Sequence, residues 1–167
     1  MEGETLKVKR LRESAVIPTY AKQFDSGFDL VAAEDVVIAP GETKLVPTGL
    51  AFEIPEGYEI QVRPRSGMTL KTRLRVQFGT VDAGYRGDVG IIVDNISRDN
   101  WSNAARLINN SYAYETLDEC IPGSYLIKTG DRIAQGVIAA VEHTTFEEVD
   151  DLNETERGTN GYGSTGI

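Results

Sequence analysis

The chain has 167 residues, 40% hydrophobic and 26% charged, and carries a net charge of −9 from 17 basic and 26 acidic side chains. This length suits one domain that buries roughly two thirds of its unfolded surface, and the acidity weighs against binding a nucleic-acid polymer, which needs broad phosphate neutralisation. Cys120 and His143 each stand alone as a type, which excludes an internal disulfide framework and a soft-ligand zinc site and leaves chemistry to carboxylates, hydroxyls, arginines and an oxygen-held metal.

The chain opens with "MEGETLKVKR", which has no apolar targeting core, and no later run approaches a membrane span. A cytoplasmic protein with no membrane contact is expected. The first strand signal is the apolar run Val36–Ile38, closed by a Pro40-Gly41 turn. Leu50, Phe52 and Ile54 then alternate with Ala51 and Glu53, and after a Pro55-Glu56-Gly57 turn Tyr58, Ile60 and Val62 alternate with polar partners. Ser66–Thr72 reads as a helical turn, and Leu74, Val76 and Phe78 resume the period of two. Residues 79–88 read as a hairpin, and Ile91–Val93 and Val137–Val141 as buried strands. Between these, residues 98–123 follow neither period for long; they carry Trp101, Tyr112 and Tyr114 and predict a long excursion with a short helix over Ala104–Asn109. Many short strands at close spacing predict an all-β domain, a sandwich or barrel with a jelly roll as the natural candidate.

Charge is unevenly placed. No acid lies between Ile60 and Val81, where Arg63, Arg65, Lys71, Arg73 and Arg75 fall, whereas Glu142–Glu156 holds seven acids and no Lys or Arg. A concentrated cationic patch on an acidic protein suits a small, highly charged anion; the alternative is a solvated strand face. In "GTVDAGYRGD", residues 79–88, Asp82 is either a turn former or a general base, with Tyr85 placed to pack on a flat or sugar-like ligand. In "RPRSGM", residues 63–68, Ser66 and Gly67 offer a hydroxyl and open amides to a phosphate. The ending "RGTNGYGSTG", residues 157–166, pairs four glycines with Arg157, Tyr162, Ser164 and Thr165, and lacks the Gly-Lys-Ser/Thr of a P-loop.

Together with "SGFDL" at 26–30 and "GDRIAQ" at 130–135, these stretches form five motifs in a fixed order. The chain thereby resembles, over nearly its whole length, the trimeric dUTPase (deoxyuridine triphosphatase) family. The resemblance implies a jelly-roll subunit, a homotrimer with shared active sites, and Mg²⁺-dependent hydrolysis of dUTP to dUMP and pyrophosphate, which keeps uracil out of DNA and supplies dUMP for thymidylate synthesis. It implies that Asp82 activates the attacking water and that Tyr85 packs under the deoxyribose and rejects a 2′-hydroxyl. Backbone groups over about Val76–Tyr85, including Gly79 and Val81, would read uracil, with Gln77 the one side chain that could contribute. Arg65, Ser66, Gly67 and Gln135 would bind phosphates, and Asp29 would reach the metal through water. Asp131 is expected to make a turn or an interface bond, and His143 to be structural or superficial.

The same resemblance divides the chain into a β domain over 1–156 and a mobile C-terminal lid over 157–167. Arg157 would bind the γ-phosphate and Tyr162 would stack on uracil. Gly163, Ser164 and Thr165 would contact the nucleotide closely, often in a neighbouring subunit's site. Residues 98–123 depart from compact members, which have a short connection between the third and fourth motifs, by an estimated ~20 residues. Similar insertions mark phage and Gram-positive members, some of which bind regulatory proteins, so a protein partner through 98–123 is the alternative to a plain structural flap. The rival enzyme of the wider superfamily, deoxycytidine triphosphate deaminase, lacks the terminal motif and uses an arginine-serine-serine sequence where this chain has "RSGM".

Overall fold

A computed structural model describes residues 5–98, 105–109, 111–113 and 121–161. In chain order its first strands are β1 (Lys7–Arg10), β2 (Phe28–Val31), β3 (Val36–Ile38), β4 (Thr43–Pro47), β5 (Leu50–Glu53) and β6 (Tyr58–Pro64). One short helix follows, α1 (Ser66–Lys71), then β7 (Leu74–Val76), β8 (Gly79–Val81) and β9 (Gly90–Asn95). Last come β10 (Ala105–Leu107), β11 (Tyr112–Ala113), β12 (Tyr125–Ile127) and β13 (Arg132–Ala140). The strands form sheets in the orders β2-β13-β6-β8, β4-β9-β7, β11-β10-β12-β3 and β1-β5. Every pairing is antiparallel except β10 with β12. This is the expected all-β jelly roll, and among the described residues no helix is long and apolar enough to cross a membrane.

One contiguous core joins the sheets. Leu30, Ile60, Val62 and Ile133 come from the first, Val46, Leu74, Ile91 and Val93 from the second, Ile38, Tyr125 and Ile127 from the third, and Leu50 and Phe52 from the fourth. Each such side chain contributes about 1.5–3 kcal/mol relative to leaving it exposed. The period of two explains the assignment: along β9 Ile91 and Val93 are buried while Ile92 points out. The run Ile91–Val93 is therefore half-buried, as are Val36–Ile38 and the end of β13. Gly57, at φ 82°, closes the Pro55-Glu56-Gly57 turn in the left-handed region that favours glycine.

Two expectations are corrected. Residues 79–88 are no hairpin: β8 pairs with β6, whereas β9 pairs with β4 and β7, so the segment carries the chain from one sheet to another. The helix expected over Ala104–Asn109 is replaced, where described, by β10, because parallel pairing of Arg106 and Leu107 with Tyr125 and Leu126 overrides the helical preference of Ala-Arg-Leu. Trp101, Tyr114 and Cys120 lie outside the described residues. Asn95, 1% exposed, ties the root of this region to the core: its amide donates to Ile38 O and Gly123 O, and its oxygen accepts from Ser97 N–H.

Candidate active site in two clefts

The ladder of β13 builds the first cleft. Because β13 runs between β2 and β6, Gln135 stands opposite Asp29 on one side and Arg63 on the other. Gly27, just before β2, permits this closeness, since a Cβ there would lie 2.9 Å from Gln135 Oε1. The Gln135 Nε2 donates to Pro64 O at 3.1 Å, which turns the amide toward the end of β6. There the chain leaves the sheet, and Arg65, Ser66 and Gly67 open into a cleft of about 340 Å³ shared with Asp25, Asp29, Arg132 and Gln135.

Asp29 organises this cleft. Its Oδ1 meets Arg65 Nε at 2.9 Å and its Oδ2 meets Arg132 Nη1 at 3.2 Å, while Arg65 Nη1 donates to Arg132 O at 3.1 Å. One partly buried carboxylate thus holds two guanidinium groups side by side, each retaining donors for an oxyanion. The lining charges balance, Arg65 and Arg132 against Asp25 and Asp29. Such alternation suits a phosphate chain that brings its own cation better than a bare polyanion. Among the described residues no group of three His, Cys, Asp or Glu side chains could cage a metal. Asp25 and Asp29 are the oxygen donors this cleft would offer a Mg²⁺ ion that brought its own water and phosphate ligands.

The second cleft, about 260 Å³, is different in kind. Leu45, Val81, Val89 and Gly90 wall it, and Thr80, Asp82, Tyr85 and Asp88 bring polar side chains. A tight turn sets Asp82 and Tyr85 together, with Tyr85 N–H donating to Asp82 O at 3.0 Å. Arg86 Nη1 braces that turn by donating to Ala83 O at 2.5 Å and Tyr85 O at 2.8 Å. The Tyr85 hydroxyl donates to Asp88 O at 2.9 Å, so the ring folds back over Gly87, where a Cβ would overlap the phenol. Among the described residues the Asp82 carboxylate has no ion-pair or hydrogen-bond partner, and it is exposed. It is open to water.

The two clefts share no residue. The predicted phosphate residues and Asp29 gather in the first, and Val81, Asp82 and Tyr85 in the second. Gly79 lies on β8 opposite Val62 and lines neither. Gln77 donates to Asp94 and lines neither, and His143 is exposed. Asp131 makes a turn, its carboxylate accepting from Lys128 N–H at 2.8 Å. Arg157 is exposed, its Nε on Asn160 O at 3.1 Å, and reaches neither cleft. Tyr162, Gly163, Ser164 and Thr165 lie outside the described residues. The sequence reading missed Arg132; its position inside "GDRIAQ", one residue after Asp131, was the signal available.

The β jelly roll, a cleft bearing two guanidinium groups and a separate cleft holding an unpartnered carboxylate beside a tyrosine suit the class of proteins that handle small phosphorylated ligands. Comparison with known proteins narrows the class. A sequence model described as dUTPase matches residues 13–105 and 124–166, and the chain belongs to the dUTPase family. It is 43% identical over 164 residues to the deoxyuridine 5′-triphosphate nucleotidohydrolase of Gloeothece citriformis, covering 97% of each chain. It is 44% identical over 163 residues to that of Nautilia profundicola, covering 96% of this chain and 98% of the other. Among solved structures, Staphylococcus bacteriophage 80alpha dUTPase with dUpNHpp superposes with a TM-score of 0.91 at 37% identity, covering 99% of this chain and 100% of that one. That structure belongs to work in which phage dUTPases control transfer of virulence genes by a G protein-like mechanism. The dUTPase from phage phi11 of S. aureus, in a structure visualising a species-specific insert, gives 0.84 at 32% identity, covering 91% and 100%.

Proposed function

We propose that this chain hydrolyses dUTP to dUMP and pyrophosphate in a homotrimer whose active sites are each assembled from more than one protomer. The observation that carries this reading is the separation of complementary machinery into two clefts with no residue in common. A phosphate cleft whose Asp29 is tied to two guanidinium groups and a base cleft lined by no Lys or Arg become one site when the first faces the second of a neighbouring copy. Ring closure by such heterologous contacts gives cyclic symmetry. The C-terminal arm supports the same reading. After Val141 N–H donates to Gly57 O, residues 142–161 are exposed throughout, with Phe146 99% and Leu152 87% accessible. Apolar side chains so displayed call for a cover, and the neighbouring protomer supplies one.

In the assembled site Asp82 accepts a proton from a water placed in line with the α-phosphorus. The new P–O bond forms from that water, the bond to the bridging oxygen breaks, and its electron pair leaves with pyrophosphate. General-base help of this kind is worth about 10²–10⁴-fold. When bound, Mg²⁺ would supply charge neutralisation to the triphosphate, with Asp29 beside it. Arg65, Ser66, Gly67 and Gln135 hold the phosphate chain, and Asp29 orients Arg65 and Arg132. Tyr85 packs against the deoxyribose, and the backbone from Val76 to Tyr85, with Gly79 and Val81, reads uracil. Arg157, Tyr162, Gly163, Ser164 and Thr165 close over the nucleotide, excluding water.

A panel of nucleoside triphosphates with Mg²⁺, assayed for pyrophosphate, tests the reaction. Release from dUTP and little from UTP, dTTP or dCTP is expected; equal release from all, or ammonia from dCTP, would refute it. A second reading adds a regulatory protein partner through residues 98–123. Two observations favour it: the family match is interrupted at 106–123, and the 80alpha dUTPase structure is tied to control of virulence-gene transfer by phage dUTPases. Deleting 98–123 should then abolish partner binding while leaving hydrolysis intact.

A further inference from the structure

The phosphate cleft depends on a helix that is too short to hold itself. α1 has six residues, well below the about 12–15 at which isolated helices become even marginal in water. Its N-terminal flank, Arg65, makes no side-chain capping bond. Met68, 4% exposed, is its one anchor in the core, and Leu70 is 85% exposed. Thr72 closes the C-terminal end, its N–H and Oγ1 both donating to Met68 O at 3.0 and 2.7 Å. The remaining carbonyls of the last turn need donors from elsewhere.

Arg75 supplies one of them, at Thr69 O, and also bonds the C-cap carbonyl of Thr72 and the carbonyl of its own neighbour Leu74 on β7. From β7 its half-buried guanidinium reaches back, and Nη1 approaches Thr69 O at 3.2 Å, Thr72 O at 3.1 Å and Leu74 O at 2.7 Å. Two N–H groups are shared among three carbonyls, and the positive charge sits beyond the negative end of the helix. β7 itself is fixed, with Arg75 opposite Asp94 on β9 and Val76 buried opposite Val93. We propose that Arg75 is the positioning residue of the phosphate cleft: by clasping the last turn of α1 to β7 it sets where Ser66 and Gly67 meet the anion. The proposal rests on the reading of that cleft as the phosphate site, and it makes Arg75 act through α1 without touching substrate. No general preference for arginine at strand positions accounts for a guanidinium aimed at three backbone carbonyls.

The test compares the full-length wild type with Arg75→Met and Arg75→Lys, measuring binding of Mg²⁺-pyrophosphate, binding of deoxyuridine, and dUTP kinetics. In Arg75→Met the pyrophosphate affinity should fall and KM for dUTP rise by about tenfold, with kcat changed far less and deoxyuridine affinity unchanged. Arg75→Lys, which keeps the charge and loses the planar fork, should lie between. Unchanged pyrophosphate affinity in folded Arg75→Met, or equal loss for pyrophosphate and deoxyuridine, overturns the proposal. If Arg75→Met does not fold, the same two ligands with Arg75→Lys decide it. A wild type that binds pyrophosphate but leaves dUTP intact defeats the proposed function and still leaves Arg75 tested; a wild type that binds no pyrophosphate defeats both.

Discussion

The cleft around Asp29 and the cleft around Asp82 each centre on a carboxylate, and they differ in almost everything else. Asp29 is partly buried with both oxygens engaged by guanidinium groups, so it orients its neighbours and has little freedom to act as a base. Asp82 is exposed, has no partner among the described residues and lines a largely apolar cleft, where a water can reach it. The contrast lies in their surroundings: cations engage both oxygens of Asp29, whereas Asp82 has no partner among the described residues, and the proposed function uses the first as a scaffold and the second as the base.

The sharpest way to break this comparison is to neutralise each carboxylate in turn. Asp82→Asn should lower kcat by on the order of 10²–10⁴-fold with dUTP binding retained, measured by pyrophosphate release and calorimetric titration. Truncation before Arg157 should come next, with catalysis reduced on the order of 10²-fold and an unchanged thermal midpoint, because among the described residues, 157–161 make only local hydrogen bonds with their own protomer. Gly87→Ala forces a methyl into the Tyr85 phenol, so discrimination between dUTP and UTP should fall roughly 10-fold in a competition assay while dUTP turnover changes less.

The smallest effect concerns a carboxylate with no part in either cleft. Asp35 Oδ1 accepts from Thr129 N–H at 2.7 Å and from its hydroxyl at 3.0 Å, and the backbone bond above all holds the Asp35 carboxyl below its ordinary value of 3.8. Its folded-state pKa is depressed, so its stabilisation is present above 3.8 and is lost as pH falls through the lower folded value. Asp35→Ala should lower the thermal midpoint slightly at pH 7, and the gap from wild type should close in strong acid.

Much of this was legible before any coordinates. The strands from Leu50 to Val76 follow from strict alternation, and α1 from the break in that alternation at Ser66. The motifs singled out Asp29, Arg65, Ser66, Gly67 and Gln135 of the first cleft and Val81, Asp82 and Tyr85 of the second, but not Asp25 and Arg132 of the first or Leu45 and Val89 of the second. Pairing between distant segments was less legible. Nothing local in residues 105–107 announces a parallel partner at 125–127, and nothing in "GTVDAGYRGD" says that its flanking strands join different sheets. Arg75 was hidden for the same reason: in sequence it is one of five cations between Ile60 and Val81, and only the fold shows three carbonyls converging on it.

The most direct test of the shared site is complementation. Asp82→Asn and Arg65→Ala, each inactive alone, are unfolded together, refolded as a 1:1 mixture and assayed on dUTP. If each site takes its base from one protomer and its phosphate cleft from another, about a quarter of the sites in randomly mixed trimers contain two intact halves, and activity returns to about that fraction of wild type. Mixtures that stay as inactive as the separate variants would contradict the account.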